Sequence, residues 1–351
     1  MKHVKLLSFA MSLTLLAGLL TGCGGSASSG DTSAAQPAVG DDQTVYTFSY
    51  GTVGNEEEAT FRAASRWAEY MEEKSNGRIK VELYPNGQLG NDRELQESVQ
   101  MGQLVSMSTG LTQQTNFVPE LSVMDVPFAF DNAEQIAALF ADETFWDYLS
   151  GLYEQRGFKL IGENFQGFRL MTSNKPIHTV ADCKGLSMRV IESPTPMAIW
   201  GALGANPTPV SFNELYTALQ QGVVDAQENP IQLIYSMKFY EQQKYIINTN
   251  HQIQPILWVI NLDFWNSLPE DLQQIVSDGM KEATDYANEV LSDEEAQMLS
   301  DMEDNGVDYI ELTDEARQEF KDATASVWPM LQEQYPDFYD VFVSALERTQ
   351  G

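Results

Sequence analysis

Two arginines stand where charge is least expected in this chain. Arg169 sits inside the apolar run Phe168-Arg169-Leu170-Met171, and Arg189 inside Met188-Arg189-Val190. Each run reads as a strand ending just before a turn that contains proline, and open α/β sheets bind their ligands beyond the carboxyl ends of strands. A guanidinium offers a planar fork of donors that matches a carboxylate at two points, which lysine cannot do. A single strand arginine is as well explained by a sheet edge or an internal ion pair. Two in equivalent places point to recognition of a small organic acid. Bases are scarce, 20 Lys and Arg against 51 Asp and Glu, with a formal net charge of −31. That balance argues against nucleic acid or an anionic lipid surface as partner, since both require clustered cations.

Other chemistries find less in the sequence. His178 and His251 have neither a second His at metal-binding spacing nor a neighbouring Cys, so no metal is expected. There is no Gly-x-Ser-x-Gly elbow and no P-loop, and Gly201-Ala202-Leu203-Gly204 lacks the preceding strand of a dinucleotide site. No cofactor is expected. Adjacent acids such as Glu56-Glu57-Glu58 arise by chance where acids number 51. The rival from another class is an extracellular enzyme acting on acidic sugars, with Glu192 or Glu228 as acid or base. A surface adhesion or signalling module is a third reading.

The elements that must carry the arginines alternate. The 351 residues suffice for two domains. From Val45 short β-branched runs alternate with amphipathic stretches, the pattern of an α/β fold. Strands are expected at 45–50, 78–84, 104–109, 158–163, 168–172, 187–191, 223–226, 244–249 and 256–262. Helices are expected at 59–74, at 91–100 behind the cap Asn91, from Pro194 to Gly204, and after a capping box of Ser211 and Glu214. Helical periodicity from Ser267, with Pro269 near the first turn, toward Met302 predicts a helix long enough to cross two lobes, and the acids from Glu282 to Glu319 read most simply as a solvated face, with a docking surface for a partner as the alternative. Before all this, residues 1–22 place Lys2 and Lys5 ahead of the apolar run Leu6 to Leu20, the pattern of a secretory signal, and shorter than the ~20 residues of a bilayer span. Residues 23–43 have the composition of a flexible tether. Cys183, the other cysteine, reads as a small half-buried residue.

Two resemblances sharpen this. Leu20-Thr21-Gly22-Cys23 is similar to the bacterial lipobox, which implies lipidation of Cys23 and an anchor on the outer face of the membrane. The motifs Tyr84-Pro85-Asn86-Gly87-Gln88-Leu89-Gly90, Lys184-Gly185-Leu186-Ser187-Met188-Arg189-Val190, Gly204-Ala205-Asn206-Pro207-Thr208-Pro209 and Asp225-Ala226-Gln227-Glu228-Asn229-Pro230, in that order, resemble the DctP-type solute-binding proteins of tripartite ATP-independent periplasmic (TRAP) transporters. The resemblance covers the chain from about Val45 onward. It implies a two-lobed periplasmic-binding-protein-like α/β fold with crossing strands and a long helix spanning both lobes. Lobe I is expected from 44–166 plus 255–294, and lobe II from 167–254 plus 295–351. It further implies a receptor, not an enzyme, that hands an organic acid to the membrane permease subunits. Arg189 would form the two-pronged bond to the ligand carboxylate, Arg169 and Asn229 would complete the clamp, Phe212 would pack on the ligand, and Asn55 or Glu56 would enter the cleft from the first strand's loop. Ala226 replaces the usual Gly, and Cys183 a usual Leu. Glu192, three residues after Arg189, accepts hydrogen bonds and would repel a second carboxylate, which favours a sugar acid such as a uronate over a C4-dicarboxylate.

Overall fold

The computed structural model describes residues 44–349. The expected signal, the tether and Cys23 lie outside them. Nine strands form one mixed sheet: β1 (Tyr46–Gly51), β2 (Ile79–Tyr84), β3 (Ser106–Gly110), β4 (Phe158–Ser173), β5 (Ser187–Val190), β6 (Asn206–Pro209), β7 (Ala226–Asn229), β8 (Tyr245–Asn261) and β9 (Asp308–Glu311). Their order is β2-β1-β3-β8-β4-β7-β5-β6, with β9 beside β8.

β4 and β8 carry the architecture. They have 16 and 17 residues, against about 5–6 for an ordinary strand, and pair antiparallel along most of their length. The end of β8 at residues 256–260 pairs with β3, while the far half of β4, from Leu170 to Ser173, pairs with β7. Each long strand thus serves both halves of the sheet. Between the halves the register slips at Phe165/Phe168, where Gly167 takes a φ of +117° that side chains disfavour. Gly162, Gly167 and the polar run 248–254 suggest breaks in sequence, so each long strand is expected as two. The structure absorbs these residues as bulges and buried hydrogen-bonded positions instead.

β7 also departs from expectation, since it runs over Ala226–Asn229 and not 223–226. Gln227, Glu228 and Asn229 look like a polar loop, but all three are buried with partners inside the fold. At Ser211 the expected capping box does not form. The hydroxyl donates to the Glu214 carboxylate at 2.8 Å, a 3-10 turn follows at Phe212–Glu214, and the helix starts only at Leu215. Asn91 does form one: its side chain accepts from Glu94 N, and the Glu94 carboxylate accepts from Asn91 N.

The helix Glu270–Asp304 has 35 residues, about 52 Å at the usual rise. Leu272, Val276, Met280, Ala283 and Ala287 join a core with Phe48, Trp67 and Trp258. Met298 and Met302 join another with Leu215, Ile231, Phe239 and Ile246. One helix therefore staples both halves, as its length predicts. Against the helix Ala59–Lys74 it packs closely through Gly279, and Trp67 Nε1 donates to Val276 O at 2.9 Å. The last helix is Pro336–Thr349. Its Phe338 stacks on Phe145 while Phe342 lies tilted against the same ring, and Arg348 pairs with Asp142 at 2.6 Å, because its apolar face matches the aromatic surface of residues 130–145.

A Cβ at Gly279 would meet Tyr70 Cδ1 at 2.6 Å and Trp67 Cδ1 at 3.1 Å. Gly279→Val is expected to lower stability by about 1–3 kcal/mol through overpacking, measured by denaturant unfolding.

Candidate functional site

Arg189 leaves the middle of β5 and is only 2% exposed as a residue. Nε donates to Val210 O at 2.9 Å, while Nη1 is buried without a partner. Burial lowers the guanidinium pKa to about 10, against the pull of the Glu228 and Asp92 carboxylates, so it stays charged at neutral pH. It faces a cleft of about 640 Å³ bounded by Asp92, Gln113, Asn116, Glu192 and Phe212. Phe212 and Gln113 also border a second space, of about 370 Å³, between Glu58, Ser108, Gln166 and Gln254. Phe212 and Gln113 are thus the residues at which the two spaces adjoin, and the Phe212 ring packs edge-on against Phe239 at 5.8 Å.

Acceptors and amides line the rest. Asp92, the first residue of the helix Asp92–Gln100, accepts a short hydrogen bond from Thr109 Oγ1. Lost hydration raises its pKa, and the Thr109 bond and Arg189 oppose the rise. Gln113 Oε1 is buried without a partner. At Gly110 a Cβ would lie 2.1 Å from Gln254 Nε2 and 2.6 Å from Gln113 Oε1, so only glycine lets these amides converge.

Arg169 is placed differently. Its guanidinium, 1% exposed, is forked onto Glu228, with Nη2 at 2.9 Å from Oε1 and 2.7 Å from the backbone O. Nη1 donates to Gln254 Oε1 and Nη2 to Asn229 Oδ1 at 3.3 Å. Arg169 and Asn229 do not line the cleft. They stand behind Gln254, which bonds Arg169 and itself lines the second space. Burial would raise the Glu228 carboxyl, but Arg169 and the His251 ring, 3.5 Å away, outweigh it and hold Glu228 well below the usual carboxylate range. A carboxylate so pinned and dry is unsuited to acid–base work.

The remaining expected residues divide. Phe212 is in the cleft. Glu192 stands at its mouth with its side chain 73% exposed, 3.8 Å from Arg93. Asn55 turns away to Ser236 O at 3.2 Å, Glu56 is exposed, and that loop supplies Glu58 instead. Asp92, Gln113, Glu58, Gln166 and Gln254 are not singled out by sequence. Asp92 carries a signal of a sort, as it follows the cap Asn91 in the Gly87-Gln88-Leu89-Gly90 motif. The loops of the two halves also touch across the mouth, Thr115 Oγ1 to Ser193 Oγ at 3.0 Å and Asn116 Nδ2 to Glu192 O at 3.1 Å.

A mixed sheet with two long strands crossing between its halves, and a buried guanidinium aimed into the cleft between them, defines a two-lobed solute receptor. The profile described as bacterial extracellular solute-binding protein, family 7 (DctP), matches residues 50–334. The chain belongs to this family, the binding proteins of TRAP transporters, which act outside the cytoplasm, bind small organic acids and are not enzymes. It is 33% identical to the 2,3-diketo-L-gulonate-binding periplasmic protein YiaO of Escherichia coli K12, over 74% of this chain and 79% of that one. It is 34% identical to the C4-dicarboxylate-binding periplasmic protein DctP of Rhodobacter capsulatus, over 76% and 80%. The crystal structure of a TRAP solute-binding protein from Roseobacter denitrificans with bound L-galactonate superposes with a TM-score of 0.76 at 32% identity, over 82% and 97%. Among the described residues no helix is long and apolar enough to cross a membrane.

Burial raises three carboxyls, Glu58 and Glu163 to about 7 and Asp125 to about 8. Carboxyls with raised folded-state pKa stabilise in full below the ordinary carboxylate range, and that stability is lost as pH climbs through the folded value. The melting temperature is expected to fall between about pH 5 and 8 and then level off, and Asp125→Asn should flatten the fall. Calorimetry across that range checks this.

Proposed function

We propose that this chain captures a small polyhydroxylated organic acid, a sugar acid before a C4-dicarboxylate, and delivers it to the permease subunits of a TRAP transporter. The observation that carries the reading is Arg189 Nη1, buried and without a partner at the cleft. A desolvated guanidinium left so costs several kcal/mol unless an anion answers it, and a ligand carboxylate would do so. Beside it Asp92 accepts hydrogen bonds, which suits hydroxyls and disfavours a second carboxylate. The relatives named for diketogulonate and galactonate support the preference, and the one named for C4-dicarboxylates keeps the second reading open.

Closure follows from the same contacts. β4 and β8 cross between the halves through register slips, where strands bend most readily. A ligand shifts the open and closed populations only by its difference in affinity for them. One bonded to Arg189, Asp92 and Phe212 together, which come from opposite sides, favours the closed form. The lipobox-like Cys23 and the tether 23–43 are proposed to hold the receptor at the membrane's outer face.

A thermal-shift screen of sugar acids and dicarboxylates should find stabilisation of roughly 2.7 kcal/mol at 100 times Kd. Stabilisation by succinate or malate and by no sugar acid would reverse the order of preference. Arg189→Ala should weaken binding of the best acid by about 2–5 kcal/mol, and Arg189→Lys should restore little of it. Undiminished affinity by calorimetric titration would overturn the assignment. For the anchor, Cys23→Ser should move the protein from the detergent to the aqueous phase on Triton X-114 partition, and no movement would sink the idea.

A further inference from the structure

The cleft ends in a second acid. Glu58, the residue before the helix Ala59–Lys74, is 4% exposed and borders the space beyond Phe212. Its Oε1 accepts from Asn55 N at 3.1 Å, and Gln166 Nε2 lies 3.5 Å from Oε2. Among the described residues no ion pair reaches it. Its inward turn depends on Gly54, where a Cβ would stand 2.6 Å from Oε2. The charged or titratable groups facing it are Asp92 from the helix Asp92–Gln100 and Tyr50 of β1, whose hydroxyl is tied to Ser108 at 2.6 Å. β3, β4 and β8 present it with the neutral Ser108, Gln166 and Gln254.

We propose that Glu58 is the specificity-determining residue at this end of the cleft, and that its proton sets which acids are held. Protonated, it donates to a second carboxylate on the ligand. Ionised, it accepts from a hydroxyl and turns a second carboxylate away. The inference rests on the carboxylate reading of Arg189, which fixes the ligand's other end. Burial, helped by the charge of Asp92, raises Glu58 to about 7 against the hydrogen bonds from Asn55 and Gln166, so the exchange falls at working pH. A dicarboxylate that requires the proton loses up to about tenfold in affinity for each pH unit above that value.

The test is calorimetric titration with succinate and with galactonate at about pH 6.5 and 8.5, on the wild type, Glu58→Gln and Arg189→Ala, together with a carboxyl NMR titration of the free wild type. Succinate affinity should fall roughly 10- to 30-fold across that range, with proton uptake on binding, while galactonate changes by less than about threefold. Glu58→Gln should bind succinate equally at both pH values. A slope that survives Glu58→Gln overturns the selector role even if Arg189→Ala abolishes binding. Wild-type affinity in Arg189→Ala overturns the anchoring reading instead. If the wild type binds neither acid, the NMR titration decides: a Glu58 midpoint near 7 supports the switch, and one below about 5 overturns it.

Discussion

A guanidinium taken out of water must be met by acceptors, and this fold places two of them on strands of one sheet. Arg169 on β4 and Arg189 on β5 are equally dry, yet the chain answers only the first in full. Glu228, Gln254 and Asn229 surround Arg169 and tie β4, β7 and β8 together where the two halves of the sheet meet. Removing one partner from such a pair typically costs about 3–5 kcal/mol. Arg189 receives a single carbonyl and keeps one nitrogen bare. The same chemistry thus serves as mortar in one place and as an invitation in the other. The rest of the cleft is arranged around that asymmetry.

Much of this was legible in sequence because bases are few. Arg169 and Arg189 stand out against 51 acids, and the helix of 35 residues announces itself by periodicity. What sequence could not separate was the role of each arginine, since Glu228 reads as one polar residue in a loop until β7 is placed beside β4. The acids of the cleft were hidden by the abundance that exposed the arginines. Nothing local distinguishes Glu58 from Glu56 and Glu57 or marks Asp92 as more than a helix start; only the third dimension shows which carboxyls line the site. Glu192, near Arg189 in sequence, stands at the mouth because two residues beyond the end of β5 is already outside the sheet.

Sequence divides each of the two long strands for a related reason. Glycines and polar residues ordinarily punctuate structure, but here they lie where a sheet must both pair and bend. Gln252 and Gln254 look like loop residues, yet each is buried, one donating to Asp125 and the other accepting from Arg169. Paired strands carry backbone hydrogen bonds from one half of the sheet to the other, which loops would not.

The placement of the last helix has a consequence for timing. Phe338 and Phe342 complete the aromatic packing around Phe130 and Phe145, about 200 residues earlier in the chain. That core lacks its final layer until the carboxyl end has emerged, and contacts so distant in sequence form slowly. Whatever keeps the helix Pro336–Thr349 from docking therefore leaves the aromatic face around Phe130 and Phe145 uncovered.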